Sequence, residues 1–151
     1  MKLAEALIAR ADIQNKAAQI KRRISQSAKV QEGDEPVEDA NALLRQYDML
    51  MMELEAIVIR INRTNATAAL DGGVLADAIA KRDSLKAKIN TYRELCDEAS
   101  ITRERGYDHS NVKYVRCVDV SALRNQIDAM SKQYRELDTK MQGCNWTVDL
   151  L

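Results

Sequence analysis

Apolar residues return at alternating steps of three and four along four stretches of this 151-residue chain. That spacing keeps one stripe of a helix against a neighbouring helix. The first stretch covers residues 2–28. Its stripe is Leu3, Ala6, Ile13, Ala17, Ile20 and Ile24, with Arg10 interrupting, and the small Ala6 and Ala17 allow close approach of a partner. Gly33 and the chain's one proline, Pro36, end the pattern, since proline lacks an amide hydrogen and its ring clashes with the preceding turn. A second helix is expected from about Asp39, whose carboxylate suits the free amides and the positive dipole at a helix start. Its stripe is Leu43, Tyr47, Leu50, Leu54, Ile57 and Ile61. A second stripe, Met49, Met52, Ala56 and Ile59, lies on another face. A helix apolar on two faces is expected to be covered on both, which marks this one as the central helix, packed inside its own chain and across an oligomer interface.

Asp71-Gly72-Gly73 sits between short apolar runs within residues 66–76, a hairpin-turn signal. The third helix is predicted over residues 75–100, with the stripe Leu75, Ala78, Leu85, Ile89, Tyr92, Cys96 and Ala99 and with Arg82 interrupting. Residues 105–111 are turn-like. Residues 112–118 alternate and are rich in β-branched side chains, so a strand is predicted there. A lone strand is not stable, and residues 28–32 or the ribbon around Asp71 are its expected partners. The fourth helix is predicted over residues 120–144, capped by Asp119 or Ser121, with the stripe Val120, Leu123, Ile127, Met130, Tyr134, Leu137, Met141 and Cys144. The last residues, 145–151, are apolar and are expected to dock, with Trp146 as a packing anchor.

These elements predict a mainly α fold: long antiparallel helices, as in a four-helix bundle or coiled coil, with a small β-hairpin or strand element, in a single helical domain over residues 1–151. Helices of about 25 residues reach about 38 Å. That is long for a compact monomer, and it favours a homo-oligomer, a dimer or higher.

Composition supports long aliphatic seams over a sandwich or barrel: there is no Phe, one Trp, and 30% of the residues are charged. Formal net charge is zero, so neither nucleic acid nor a membrane is an expected partner. The charges are segregated, however. Residues 1–30 hold seven basic and two acidic side chains, and residues 31–55 hold one basic and eight acidic. The basic patch of Lys16, Lys21, Arg22, Arg23 and Lys29 is therefore read as a solvated face or as the counterpart of the acidic segment. Three cysteines without a CxxC pair fit a reducing, cytoplasmic setting. The most apolar run, residues 50–61, carries Glu53, Glu55 and Arg60 and is too short to span a bilayer.

No catalytic motif stands out. His109 is the only histidine, which excludes a His-rich metal site and a Glu-x-x-His di-iron motif within one chain. No glycine-rich phosphate loop or nucleophile elbow is present. The acidic clusters Glu94, Asp97, Glu98 and Glu35, Glu38, Asp39 fit solvated helix faces better than magnesium sites. No metal and no cofactor are expected, and an enzyme is not the favoured reading. The polar run Asn62, Arg63, Thr64, Asn65 fits a helix terminus; the alternative is a small-ligand or nucleotide site. In that alternative Asn62, Arg63 and Asn65 meet Arg93 and Glu94, or Arg135 and Glu136, in a pocket between helix ends. Tyr-Arg-Glu-Leu occurs twice, from Tyr92 and from Tyr134. In both copies Tyr sits on the seam, and Arg and Glu are expected to point sideways into ion pairs with neighbouring helices.

Several of these strings, in order along nearly the whole chain, carry a resemblance: Lys29-Val-Gln-Glu-Gly-Asp-Glu-Pro36, Arg60-Ile-Asn-Arg-Thr-Asn65, Tyr92-Arg-Glu-Leu95, Tyr134-Arg-Glu-Leu-Asp-Thr139 and Asn145-Trp146. The chain resembles the septicolysin-like family of small bacterial proteins, departing from it at Ala40, where members often have proline. The resemblance implies a bacterial protein and no particular chemistry. The family name implies membrane activity, but thiol-activated cytolysins are large, strand-rich, secreted proteins with a Trp-rich loop, unlike this chain. The favoured function is a homo-oligomeric structural or interaction protein.

Overall fold

All four predicted stripes fold as helices. In the structure, a computed structural model describing residues 1–100 and 114–151, α1 spans Leu3–Gln26, α2 Ala40–Thr67, α3 Leu75–Ser100 and α4 Val120–Thr147. Between α2 and α3 lie the two-residue strands β1, Ala69–Leu70, and β2, Gly73–Val74. The fold is mainly α, with the helices packed in antiparallel pairs and one small hairpin. By its contacts the chain divides into two compact units, Met1–Leu75 with Gln142–Leu151, and Ala76–Met141.

In the first unit, α1 turns its stripe to α2. Leu3, Ala6, Ile13, Ala17 and Ile20 are buried, as are Leu43 and Ile61. Fully burying each large aliphatic side chain contributes about 1.5–3 kcal/mol. At the α1–α2 corner, Arg23 grips both carboxylate oxygens of Glu38, with Nε at 2.9 Å from Oε2. The segregated charges thus meet inside the chain at one point. Asp39 caps α2 as expected, accepting from the Asn41 amide at 2.8 Å. The polar run 62–65 does not end α2, which continues to Thr67. Thr64 and Thr67 satisfy their hydroxyls by donating to carbonyls one turn back, so they stay helical.

The hairpin follows from Asp71-Gly72. Register pairs Leu70 with Gly73 and Ala69 with Val74, leaving a two-residue loop. Asp71 at φ 51° and Gly72 at φ 81° both take the left-handed backbone that such a tight hairpin turn demands.

Residues 148–151 dock against this unit, as their apolar character predicts. The Leu3 amide donates to the Val148 carbonyl at 3.0 Å, the Leu150 amide to the Met1 carbonyl at 3.0 Å, and the Lys2 ammonium to Asp149 at 2.9 Å. On the other side, Arg60 Nε donates to the Leu151 carbonyl at 2.7 Å, and the Leu151 amide donates to Thr64 Oγ1 at 3.0 Å. Trp146 is not the anchor. It is 57% exposed, and the buried residues here are Cys144 and Leu150.

In the second unit, α3 and α4 pack through Ile89, Cys96 and Ile127, flanked by Tyr92, Val120, Leu123, Met130 and Tyr134. The Asp119 carboxylate caps α4 by accepting from the Ala122 amide at 3.0 Å. The predicted strand is not formed where it is described. Residues 114–118 carry no strand. Among the described residues β1 and β2 pair only with each other, and residues 28–32 carry no strand either, so alternation of β-branched side chains alone did not produce pairing. Residues 112 and 113, the turn-like run 105–111 and His109 lie outside the described residues.

Thr64→Val should destabilise the fold by about 1 kcal/mol in urea titration, because the Leu151 amide loses its buried acceptor while the side-chain shape is kept. Hydrogen bonding from Arg23 holds the Glu38 carboxyl below its ordinary value, and Lys2 does the same for Asp149. A carboxyl lowered by folding adds stability above its unfolded pKa and loses it as pH falls through the folded value. The melting midpoint should therefore fall on acidification, and Glu38→Gln should make that fall shallower.

Candidate functional site

Two surfaces stand out once the seams are filled. The first is the far side of α2. Its second stripe is open: Met49 and Met52 are each 71% exposed and Ile59 42%, with Leu44 and Met51 beside them. A two-helix layer covers one face of each helix, and this face is the remaining one. Asp48, Met51, Met52, Glu55 and Val58 shape a shallow depression along it. Arg45 and Asp48 stand before Met52, and Asn62 and Arg63 after Ile59. Both Asn62 and Arg63 are exposed, and Asn65 is half-buried in the last turn of α2.

The second surface is a groove of about 300 Å³ alongside the α3–α4 seam. From α3 it takes Lys86, Ile89, Asn90 and Arg93, which recur at helical spacing on one face. From α4 it takes Ser131, Tyr134 and Arg135. Ile89 is buried, Tyr134 half-buried, and the three cations are exposed. Among the described residues none that line it is acidic. Among the described residues, no carboxylate lies within ion-pairing distance of Lys86, Arg93 or Arg135. The Ser131 hydroxyl is shut off from solvent and, among the described residues, has no hydrogen-bond partner.

One helical turn from Lys86 the electrostatics differ. Arg82, which interrupted the α3 stripe, is 28% exposed and reaches Asp83 at 2.9 Å and Asp138 of α4 at 3.7 Å. It is a polar bridge across the seam, and so does not break it. Arg10, the interruption in α1, is half-buried, and among the described residues its Nε has no hydrogen-bond partner.

The sequence candidates are thus distributed as follows. Arg93 and Arg135, the arginines of the two Tyr-Arg-Glu-Leu copies, share the α3–α4 groove. Their tyrosines, Tyr92 and Tyr134, pack on the same core cluster, so each following arginine is delivered beside it. Glu94 and Glu136 are exposed and do not line the groove. Glu136 faces Lys132 on its own helix at 3.9 Å. The expected ion pairs of these arginines with a neighbouring helix are therefore not made among the described residues. Asn62, Arg63 and Asn65 belong to the other unit. Sequence reading missed Lys86, Asn90 and Ser131; their spacing from Arg93 and Arg135, in steps of three and four, was the available signal.

Among the described residues no His, Cys, Asp or Glu cluster is arranged to hold a metal ion, and no helix is long and apolar enough to cross a membrane. Cys96 and Cys144 are buried and Cys117 exposed, all as free thiols. A thiol reagent should therefore modify Cys117 rapidly in the native protein and reach Cys96 and Cys144 only on unfolding, a difference that mass spectrometry of the labelled chain reads directly.

Comparison with known proteins gives relatives without a function. A family model described as "Family of unknown function (DUF6847)" matches residues 10–150. A crystal structure of a functionally unknown conserved protein from Corynebacterium diphtheriae is 37% identical, covering 100% of this chain and 99% of that one, with a TM-score of 0.91. No curated protein matches.

Proposed function

We propose that this chain, which belongs to the family of unknown function DUF6847, is a homo-oligomeric structural or interaction protein that self-associates through the outer face of α2. The exposed methionine stripe carries the proposal. Large apolar side chains repeating along three turns of one helix, in a chain with 30% charged residues, mark a surface that is more stable covered.

The face is self-complementary in sequence. In an antiparallel pair of α2 helices with the twofold between Glu55 and Ala56, each Met52 meets the other copy's Ile59. Each Asp48 then meets the other copy's Arg63. Among the described residues neither Asp48 nor Arg63 has an ion pair within the chain, so both charges are available to a second copy. A twofold contact uses the same patch twice, and both pairs form at once. The three free cysteines support an intracellular setting for this assembly. The septicolysin-like motifs add no membrane step to this reading.

Sedimentation equilibrium and native mass spectrometry test it. Met52→Glu should yield a helical monomer. Asp48→Arg and Arg63→Asp should each weaken association by about tenfold, as two opposed pairs become two repulsive ones. Combining the two substitutions should restore it. A parent chain that stays monomeric at every accessible concentration would end the proposal. A double variant no stronger than either single one would end the antiparallel register.

A further inference from the structure

The geometry points to a second property, independent of α2: the groove between α3 and α4 binds a small phosphate-bearing molecule, held by Arg93 and Arg135 with Lys86 as the third charge. Three cations converge on one groove of about 300 Å³ whose lining, among the described residues, contains no acid. Like charges placed together repel, and a chain with no net charge has carboxylates enough to relieve them. The same helix pair does so one turn away, where Arg82 has both Asp83 and Asp138. Leaving Lys86, Arg93 and Arg135 without a carboxylate is a local choice, and an anion is its complement.

The lining also fits the rest of such a ligand. Guanidinium groups offer paired N–H donors matched to phosphate oxygens. Asn90 adds an amide from the turn between Lys86 and Arg93. Ser131 lines the same groove, and among the described residues its hydroxyl has no hydrogen-bond partner. Ile89 and the Tyr134 ring form an apolar wall for a small organic moiety. The volume lies at the lower end for small-molecule pockets. Three cations neutralise one or two phosphates, whereas nucleic-acid binding proteins commonly make about 6–10 phosphate contacts. A compact phosphate ester or pyrophosphate is therefore the chemical class, not a polymer.

Titrating the full chain with inorganic pyrophosphate, followed by calorimetry and by amide chemical shifts, tests the site. Saturable binding is expected, with shift changes centred on Ile89, Asn90 and Tyr134. Arg93→Gln and Arg135→Gln should each weaken it by about tenfold, whereas Lys21→Gln, on the basic face of α1, should change it by less than about twofold. Both arginine variants should melt no lower than the parent, since each removes a repulsion. Three results would overturn the proposal: no binding at about 10 mM pyrophosphate, which sets affinity below any useful value; an equal loss in Lys21→Gln, which means diffuse charge only; or tight binding of a single-stranded oligonucleotide that pyrophosphate does not displace, which makes the groove a polymer surface.

Discussion

An antiparallel pair of helices has one seam, and each helix of this chain places most of its aliphatic side chains on it. Leu3, Ile13, Ile20, Leu43 and Ile61 fill the α1–α2 seam, and Ile89, Cys96 and Ile127 fill the seam of α3 and α4. Within each pair, the faces turned away from the seam are not covered by the partner helix. What lies on those faces then decides what the protein meets. On α2 it is methionine and isoleucine; beside the α3–α4 seam it is lysine and arginine.

Closure of the first unit depends on a short polar network as much as on apolar burial. Thr64 is 1% exposed, and its hydroxyl both donates to Arg60 and accepts from Leu151. A buried hydroxyl with both functions satisfied costs little, while one left without partners is expensive. Residues 148–151 thereby link the start of α1 to the last turns of α2. The Tyr-Arg-Glu-Leu copies show a similar coupling in the other unit. Each tyrosine packs on the core, and the arginine next to it is carried to the groove with no carboxylate among the described residues to pair it there.

Much of the fold was legible. The α3 stripe located its helix, Asp39 was a recognisable cap, Asp119 was one of two cap candidates for α4, and Asp71-Gly72-Gly73 carried a hairpin-turn signal. These features are local, set by helical period and by backbone conformations few residues adopt. The strand over residues 112–118 was a local reading too, and it did not hold at 114–118. Pairing needs a partner edge, which β-propensity in one segment does not provide. Trp146 failed for a related reason, since size and apolarity do not state which way a helical residue faces.

The candidate surfaces divide along the same line. The sequence by itself determined that α2 is apolar on two faces and that two arginines follow two seam tyrosines, because both are matters of spacing along one helix. Only the tertiary structure decided that α1 takes one face of α2 and leaves the methionine stripe open. It alone brought Lys86, Arg93 and Arg135 to one groove while giving Arg82 the carboxylates. Which side chains of two helices share a groove depends on the register in which the helices pack, and that register is set by how their seams interlock across the pair, not by either helix alone.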